Sequence, residues 1–130
     1  MLMISLCLFG ICGCNGEKPK ENMIETKNSY EQITANQAKE LMEKETGYII
    51  IDARTQEEFD EGHIEGAILI PEYEISQRAE KELPDKDRLI LVYCRSGRRS
   101  KIASQALVDL GYTNVKEFGG IIDWPYEIVV

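Results

Sequence analysis

The stretch LILVYCRSGRRSKIASQALVDLG, Leu89 to Gly111, decides how the rest of the chain is read. Its first part, through Tyr93, is an unbroken apolar run, which suits a strand buried on both faces. From about Ser100 the apolar residues recur at helical spacing, and Gly111 supplies a C-terminal stop. Between strand and helix lies a tight connection, Cys94 to Arg99, holding one cysteine, one glycine and three arginines. A strand that feeds a helix through so short a loop is half of a βαβ unit. In a parallel sheet made of such units, ligands bind beyond the carboxyl ends of the strands, where Cys94 falls.

Working outward, the same alternation continues in both directions. Tyr30 to Ile33 is a short strand, and Thr34 with Gln37 has capping-box spacing for a helix running to about Glu45. Tyr48 to Ile51 is a second apolar strand. Thr55 with Glu58 repeats the capping-box spacing and opens a brief helix over QEEFDE. Ala67 to Ile70 is a strand stopped by Pro71, and a helix over roughly Glu74 to Leu83 ends before Pro84. After the central unit, VKEF forms a last strand, and a Gly119-Gly120 turn leads to a short piece carrying Trp124. Five strands alternating with helices predict an α/β domain: a mainly parallel five-stranded sheet with helices on both faces.

Composition bounds the function. The chain has 130 residues, 43% of them apolar and 29% charged, with a formal net charge of −8. That is one domain of ordinary size with enough apolar mass for a core. The acidic balance argues against nucleic acid as a partner and against electrostatic docking to anionic lipid. An anion can therefore be held only by a local basic feature, which points to Arg95, Arg98 and Arg99. Around Cys94, successive backbone N–H groups can turn inward as an anion-binding nest, and the positive end of the following helix faces the same place. Gly97 gives the backbone the freedom this curl needs. These groups favour the thiolate form of Cys94 and so a nucleophilic sulfur. A packed structural cysteine is the bland alternative, and its place inside a basic, glycine-containing loop argues against it.

The first fourteen residues, MLMISLCLFGICGC, are uncharged and nearly all apolar. They fall short of the ~20 residues a membrane span needs, but suit the hydrophobic core of a secretory signal. ICGC resembles a bacterial lipobox, which makes Cys14 the expected lipidation site and new N-terminus. The signal lacks the usual opening Lys or Arg. Residues 15–29 are polar and aperiodic, a flexible tether, so the folded domain spans 30–130. On this reading the domain is lipid-anchored to the cell membrane, outside the cytoplasm. Cys7, Cys12 and Cys14 all precede the tether, leaving Cys94 as the one cysteine of the folded part, without a disulfide partner.

The chain resembles a single-domain rhodanese, a sulfurtransferase. IDARTQEEFDEGHIEGAILIP (Ile51 to Pro71), YCRSGRRS and LGYTNVKEFGGIIDWP match three separated family motifs in order, over about Tyr30 to Tyr126. The resemblance implies that Cys94 takes a sulfane sulfur from a small anionic donor such as thiosulfate and holds it as a persulfide. A thiol or cyanide acceptor then removes it. It also implies that the backbone of Arg95, Ser96, Gly97, Arg98 and Arg99 cradles the sulfur, with Arg99 closing the loop and Arg95 and Arg98 drawing in the donor. Asp52 and Arg54 are expected to structure the site from a neighbouring strand end. His63, the sole histidine, is expected in a turn, hydrogen bonding the loop in preference to forming a dyad with Cys94. No cofactor is expected, and no metal, since one His and one Cys fall short of a ligand set. The domain is expected to act as a monomer. Two other readings stay open: a persulfide carrier, sensor or binding module without turnover, and a cysteine phosphatase or arsenate reductase. The interval Cys94-x4-Arg99 is shorter than the phosphatase loop, which disfavours the latter.

Overall fold

A computed structural model describes residues 29–130. Cys14, the signal-like segment and all of the tether except Ser29 lie outside the described residues. In chain order the elements are β1 (Glu31–Gln32), α1 (Ala35–Lys44), β2 (Ile49–Asp52), α2 (Gln56–Glu61) and β3 (Ile68–Leu69). A 3-10 turn at Glu72–Glu74 leads into α3 (Ile75–Glu82), then β4 (Ile90–Cys94), α4 (Arg98–Asp109) and β5 (Val115–Gly120). A second 3-10 turn, Ile121–Asp123, follows the last strand.

The five strands form one sheet in the order β1-β5-β4-β2-β3, every pairing parallel. The apolar run read as a doubly buried strand is its central member: all five residues of β4 are buried. Side chains alternate between two cores, as the period of two requires. Ile90, Val92 and Cys94 pack with Ile51, with Ile75 and Ala79 of α3, and with Ala103 and Leu107 of α4. Leu91 and Tyr93 face the other way, onto Ile50, Phe118 and Ala38 of α1. Helices therefore cover both faces.

Both expected capping boxes form. Thr34 Oγ1 accepts from the Gln37 N–H and Gln37 Oε1 from the Thr34 N–H, and Thr55 and Glu58 repeat the exchange at the start of α2.

Several boundaries differ from the sequence reading by a residue or more, and three of these have a local reason. Helix α4 starts at Arg98, because Gly97 at φ 109° turns the chain straight into it. The helix read as starting at Glu74 begins one residue later, behind the 3-10 turn. Gly119 and Gly120, read as a turn, belong to β5, and a bulge accommodates them. Val92 pairs with Glu117 but Cys94 pairs with Gly120, so β5 carries one extra residue across that interval.

Candidate active site

Cys94 ends the central strand with 1% of its surface exposed, and its chain then wraps around its own sulfur. The Gly97 N–H donates to Cys94 Sγ at 3.0 Å, and Ser100 Oγ lies 3.4 Å from the same sulfur. Gly97 immediately precedes α4, so the donor stands at the positive end of a twelve-residue helix. Arg95, Ser96 and Arg98 are exposed at the rim, whereas Gly97 and Ser100 are buried beneath it.

The loop is clamped from the β5 side. The Ile122 N–H donates to the Arg95 carbonyl at 3.2 Å. Gly120 presses against the same peptide so closely that a Cβ there would lie 2.0 Å from Arg95 O. The bulge in β5 is what carries Gly120 this near.

Arg99 does not point its guanidinium at the sulfur. It makes a two-pronged ion pair with Glu58 of α2, at 2.8 and 2.9 Å. Glu58 thus serves both as the capping-box residue of α2 and as the anchor of α4. The Arg99 hydrogen bonds, working against burial and helped by those from Thr55, hold the Glu58 carboxyl at about 2, well below its ordinary 4.5. Glu58 in turn tightens the proton on Arg99, and the nearby Cys94 and Glu72 add to this at longer range.

Asp52 and Arg54 form a scaffold behind the loop. Asp52 is fully buried and accepts from Arg54 Nε at 2.9 Å, from Arg54 Nη2 at 2.8 Å and from the Tyr93 hydroxyl at 2.7 Å. Arg54 Nη2 also donates to the Gly62 carbonyl at 2.7 Å, and Tyr93 Oη accepts from the Ile64 N–H at 3.1 Å. Burial opposes the Arg54 charge, and the hydrogen bonds and charge of Asp52 outweigh it, so its proton is held more firmly than usual. Burial, then the Asp52 charge, pushes the Tyr93 phenol far above its ordinary range and keeps it a donor. The network ties the ends of β2 and β4 to the turn before β3.

His63 lies in that turn but contacts neither the sulfur nor its loop. Its Nδ1 is 2.9 Å from the Phe59 carbonyl, its ring stacks on Phe59 at 3.7 Å, and its backbone bridges to Val129. The expectation that it hydrogen bonds the loop is corrected: stacking on Phe59 fixes it to the end of α2.

Sequence reasoning missed three contributors. Glu58 was legible only as a cap, and Tyr93 only as an apolar residue. Glu117, inside the last strand, is 2% exposed and accepts from Ser100 Oγ at 2.5 Å and from the Gly119 N–H at 2.9 Å. Its signal was the two-residue period: Glu117 shares a face with Val115, toward the core that contains Cys94. A separate open groove of about 910 Å³ runs past Lys39, Tyr48, Ile64, Trp124 and Tyr126. No cysteine lines it.

A family model described as rhodanese-like domain matches residues 34–125, most of the chain and every element of the site. The chain belongs to the rhodanese-like domain family. Among curated proteins, this rhodanese-like domain is 41% identical over 73 residues to thiosulfate sulfurtransferase PspE of Escherichia coli (strain K12). That match covers 56% of this chain and 70% of the relative. It is 32% identical over 108 residues to a putative sulfur carrier protein, YrkF, of Bacillus subtilis (strain 168), covering 82% of this chain but 57% of that longer protein. A solved structure described as rhodanese with anions from E. coli superposes with a TM-score of 0.60 at 37% identity, covering 64% of this chain and 98% of that one. The parallel five-stranded, helix-covered sheet expected from the sequence is thus the rhodanese-like fold.

Proposed function

We propose that this domain is a sulfurtransferase that moves a sulfane sulfur from thiosulfate, or a similar small anionic donor, to cyanide or a thiol. One observation carries the reading: the sulfur of Cys94 lies at a strand end inside its own loop, receiving a backbone N–H at the mouth of α4. Those donors stabilise negative charge on sulfur and on a second sulfur bonded to it.

The reaction has two displacements. The Cys94 thiolate attacks the sulfane sulfur of the donor; the new S–S bond forms as the donor's own S–S bond breaks, and sulfite leaves with the electron pair. The acceptor then attacks the outer sulfur of the persulfide, and Cys94 departs as thiolate. No electrons are gained or lost overall. Arg95 and Arg98, exposed at the rim, attract the anionic donor. Arg99, held by Glu58, fixes the start of α4 beneath the loop. The name of the E. coli relative supports thiosulfate as donor.

Intact-mass measurement tests this. After incubation with thiosulfate the protein gains ~32 Da (one sulfur), loses it on adding cyanide, and the C94S variant never gains it, as a covalent intermediate demands. No adduct, together with hydrolysis of an aryl phosphate, overturns the assignment. The name of the B. subtilis relative favours a second reading, a sulfur carrier. In that case the adduct forms but cyanide and small thiols do not turn it over. The lipobox-like ICGC supports a tethered location outside the cytoplasmic membrane, with Cys14 lipidated. Mass spectrometry of detergent-extracted protein checks this, and an unmodified residue 1 on the mature protein refutes it.

A further inference from the structure

The sulfurtransfer chemistry above leaves one buried acid without a task. Glu117 is 2% exposed, in a strand flanked on both sides by others. Its Oε2 accepts from Ser100 Oγ, and Ser100 Oγ in turn contacts Cys94 Sγ. The three atoms form a chain with steps of 3.4 and 2.5 Å. A buried carboxylate is costly unless it is paired or gains a proton, and no arginine or lysine pairs with Glu117 among the described residues. Its partners are one hydroxyl and one backbone N–H.

We propose that Glu117 holds the proton of Cys94, passed through the hydroxyl of Ser100. Ser100 is the relay and Glu117 a positioning residue that acts through it. This rests on Cys94 being the sulfur-carrying nucleophile. With the proton on sulfur, the Cys94 S–H faces Ser100 Oγ, whose own proton is within reach of Glu117 Oε2 and of the Gly97 carbonyl. On activation the S–H bond breaks and its electron pair stays on sulfur. Ser100 takes that proton as it gives its own to Glu117, so the hydroxyl is regenerated and the negative charge moves from Glu117 to Cys94. The thiolate then gains the Gly97 N–H and the helix end, which the carboxylate lacked. When the acceptor removes the outer sulfur, the same proton returns to the departing Cys94 thiolate. The protein thus loads and unloads sulfur with no net exchange of that proton with solvent.

The surroundings suit the transfer. Arg98, Arg99 and Lys101 from α4, with Arg95 on the loop, put positive charge on the sulfur side, and the charge of Glu72 is felt at Arg99. Val92 of β4 and Gln32 of β1 stand in register with Glu117 and bring no charge. Lys116 and Glu31 pair with each other, and Lys116 projects from the opposite face of β5. Charge therefore decreases from the loop toward the sheet interior.

Two coupled groups sharing a proton titrate in two macroscopic steps. The test is the rate of Cys94 alkylation by iodoacetamide against pH, followed with thiolate absorbance, and needs no sulfur donor. Its outcome is therefore separate from that of the persulfide experiment. The wild type is expected to show a low-pH step, a plateau and a second rise. E117Q, whose neutral amide stands in for the protonated acid and whose oxygen can still accept from Ser100, is expected to show one step and no second rise. In the plateau it reacts at least as fast as wild type, because the negative charge that opposes the thiolate is gone. S100A, which breaks the path between sulfur and carboxylate, is expected to bring the two steps closer together, and the double variant behaves as E117Q does. A single step in the wild type overturns the relay, as does a second rise retained in E117Q or an S100A profile identical to that of the wild type. Where neither variant folds, infrared spectra decide: a protonated-carboxyl band in the wild type at plateau pH that C94S lacks supports the relay, and equal spectra overturn it.

Discussion

Gly120 shows how a side chain's absence shapes the site. Any Cβ there would meet the Arg95 carbonyl at 2.0 Å, and that obstacle is backbone, which cannot rotate away. Gly120→Ala must therefore push β5 and the sulfur loop apart, breaking the Ile122-to-Arg95 hydrogen bond. We expect it to cost about 1–3 kcal/mol, the range for overpacking a filled interior, measured by urea denaturation. The loop displacement should also slow persulfide formation, read as the rate of ~32 Da mass gain. An unchanged denaturation midpoint with an unchanged loading rate would show that the two strands separate without cost. At this scale the sequence was partly legible. Cys94 stood out in the sequence because a thiol after an apolar run and before basic residues is an unusual combination. Glu117 was not, because a glutamate in KEF reads as solvated until the register places it beside Val92.

Between elements, the Glu58–Arg99 pair joins α2 to α4 across 41 residues of sequence. It is the fold's one side-chain ion pair between those two helices among the described residues. Glu58 is held at about 2 against an ordinary 4.5, chiefly by Arg99. A carboxyl depressed in the folded state binds its proton more readily when unfolded. The pair's contribution is thus full above pH 4.5 and lost as pH falls toward about 2. Glu58→Gln should lower stability at pH 7 by about 1 kcal/mol, as for a well-formed but partly exposed pair. It should also flatten the acid limb of stability across that window, recorded by urea denaturation at stepped pH. Parallel curves for the two proteins would remove the pair from the ledger of acid sensitivity. The element order, both capping boxes and the doubly buried strand were readable because each depends on local spacing. The ion pair was not, since the cap at Glu58 looked complete with Thr55 alone.

For the molecule as a whole, the overall charge and the site oppose each other. A formal net charge of −8 would repel the proposed anionic donor at long range, while Arg95 and Arg98 at the rim would attract it at short range. The layered α/β plan was legible because apolar runs alternate with helical periodicity. The bulge that draws β5 over the loop was hidden, because a double glycine reads equally as a turn. That bulge matters here: it presses Gly120 against the Arg95 backbone at the rim, beside the basic residues that face solvent. Screening length falls from ~30 Å at 0.01 M salt to ~10 Å at 0.1 M, so salt weakens the distant repulsion and the attraction together. In the wild type the nearby arginines dominate the encounter, and loading by thiosulfate should slow by about two- to fivefold over that range. In the Arg95→Ala/Arg98→Ala variant the exposed rim loses its two cations and the repulsive field outweighs the buried donors, so loading should start slower and rise with salt. Stopped-flow mixing with thiosulfate, quenched for intact mass, gives both slopes. If both proteins slow alike with salt, the attraction resides in the backbone donors and α4 rather than in these two side chains.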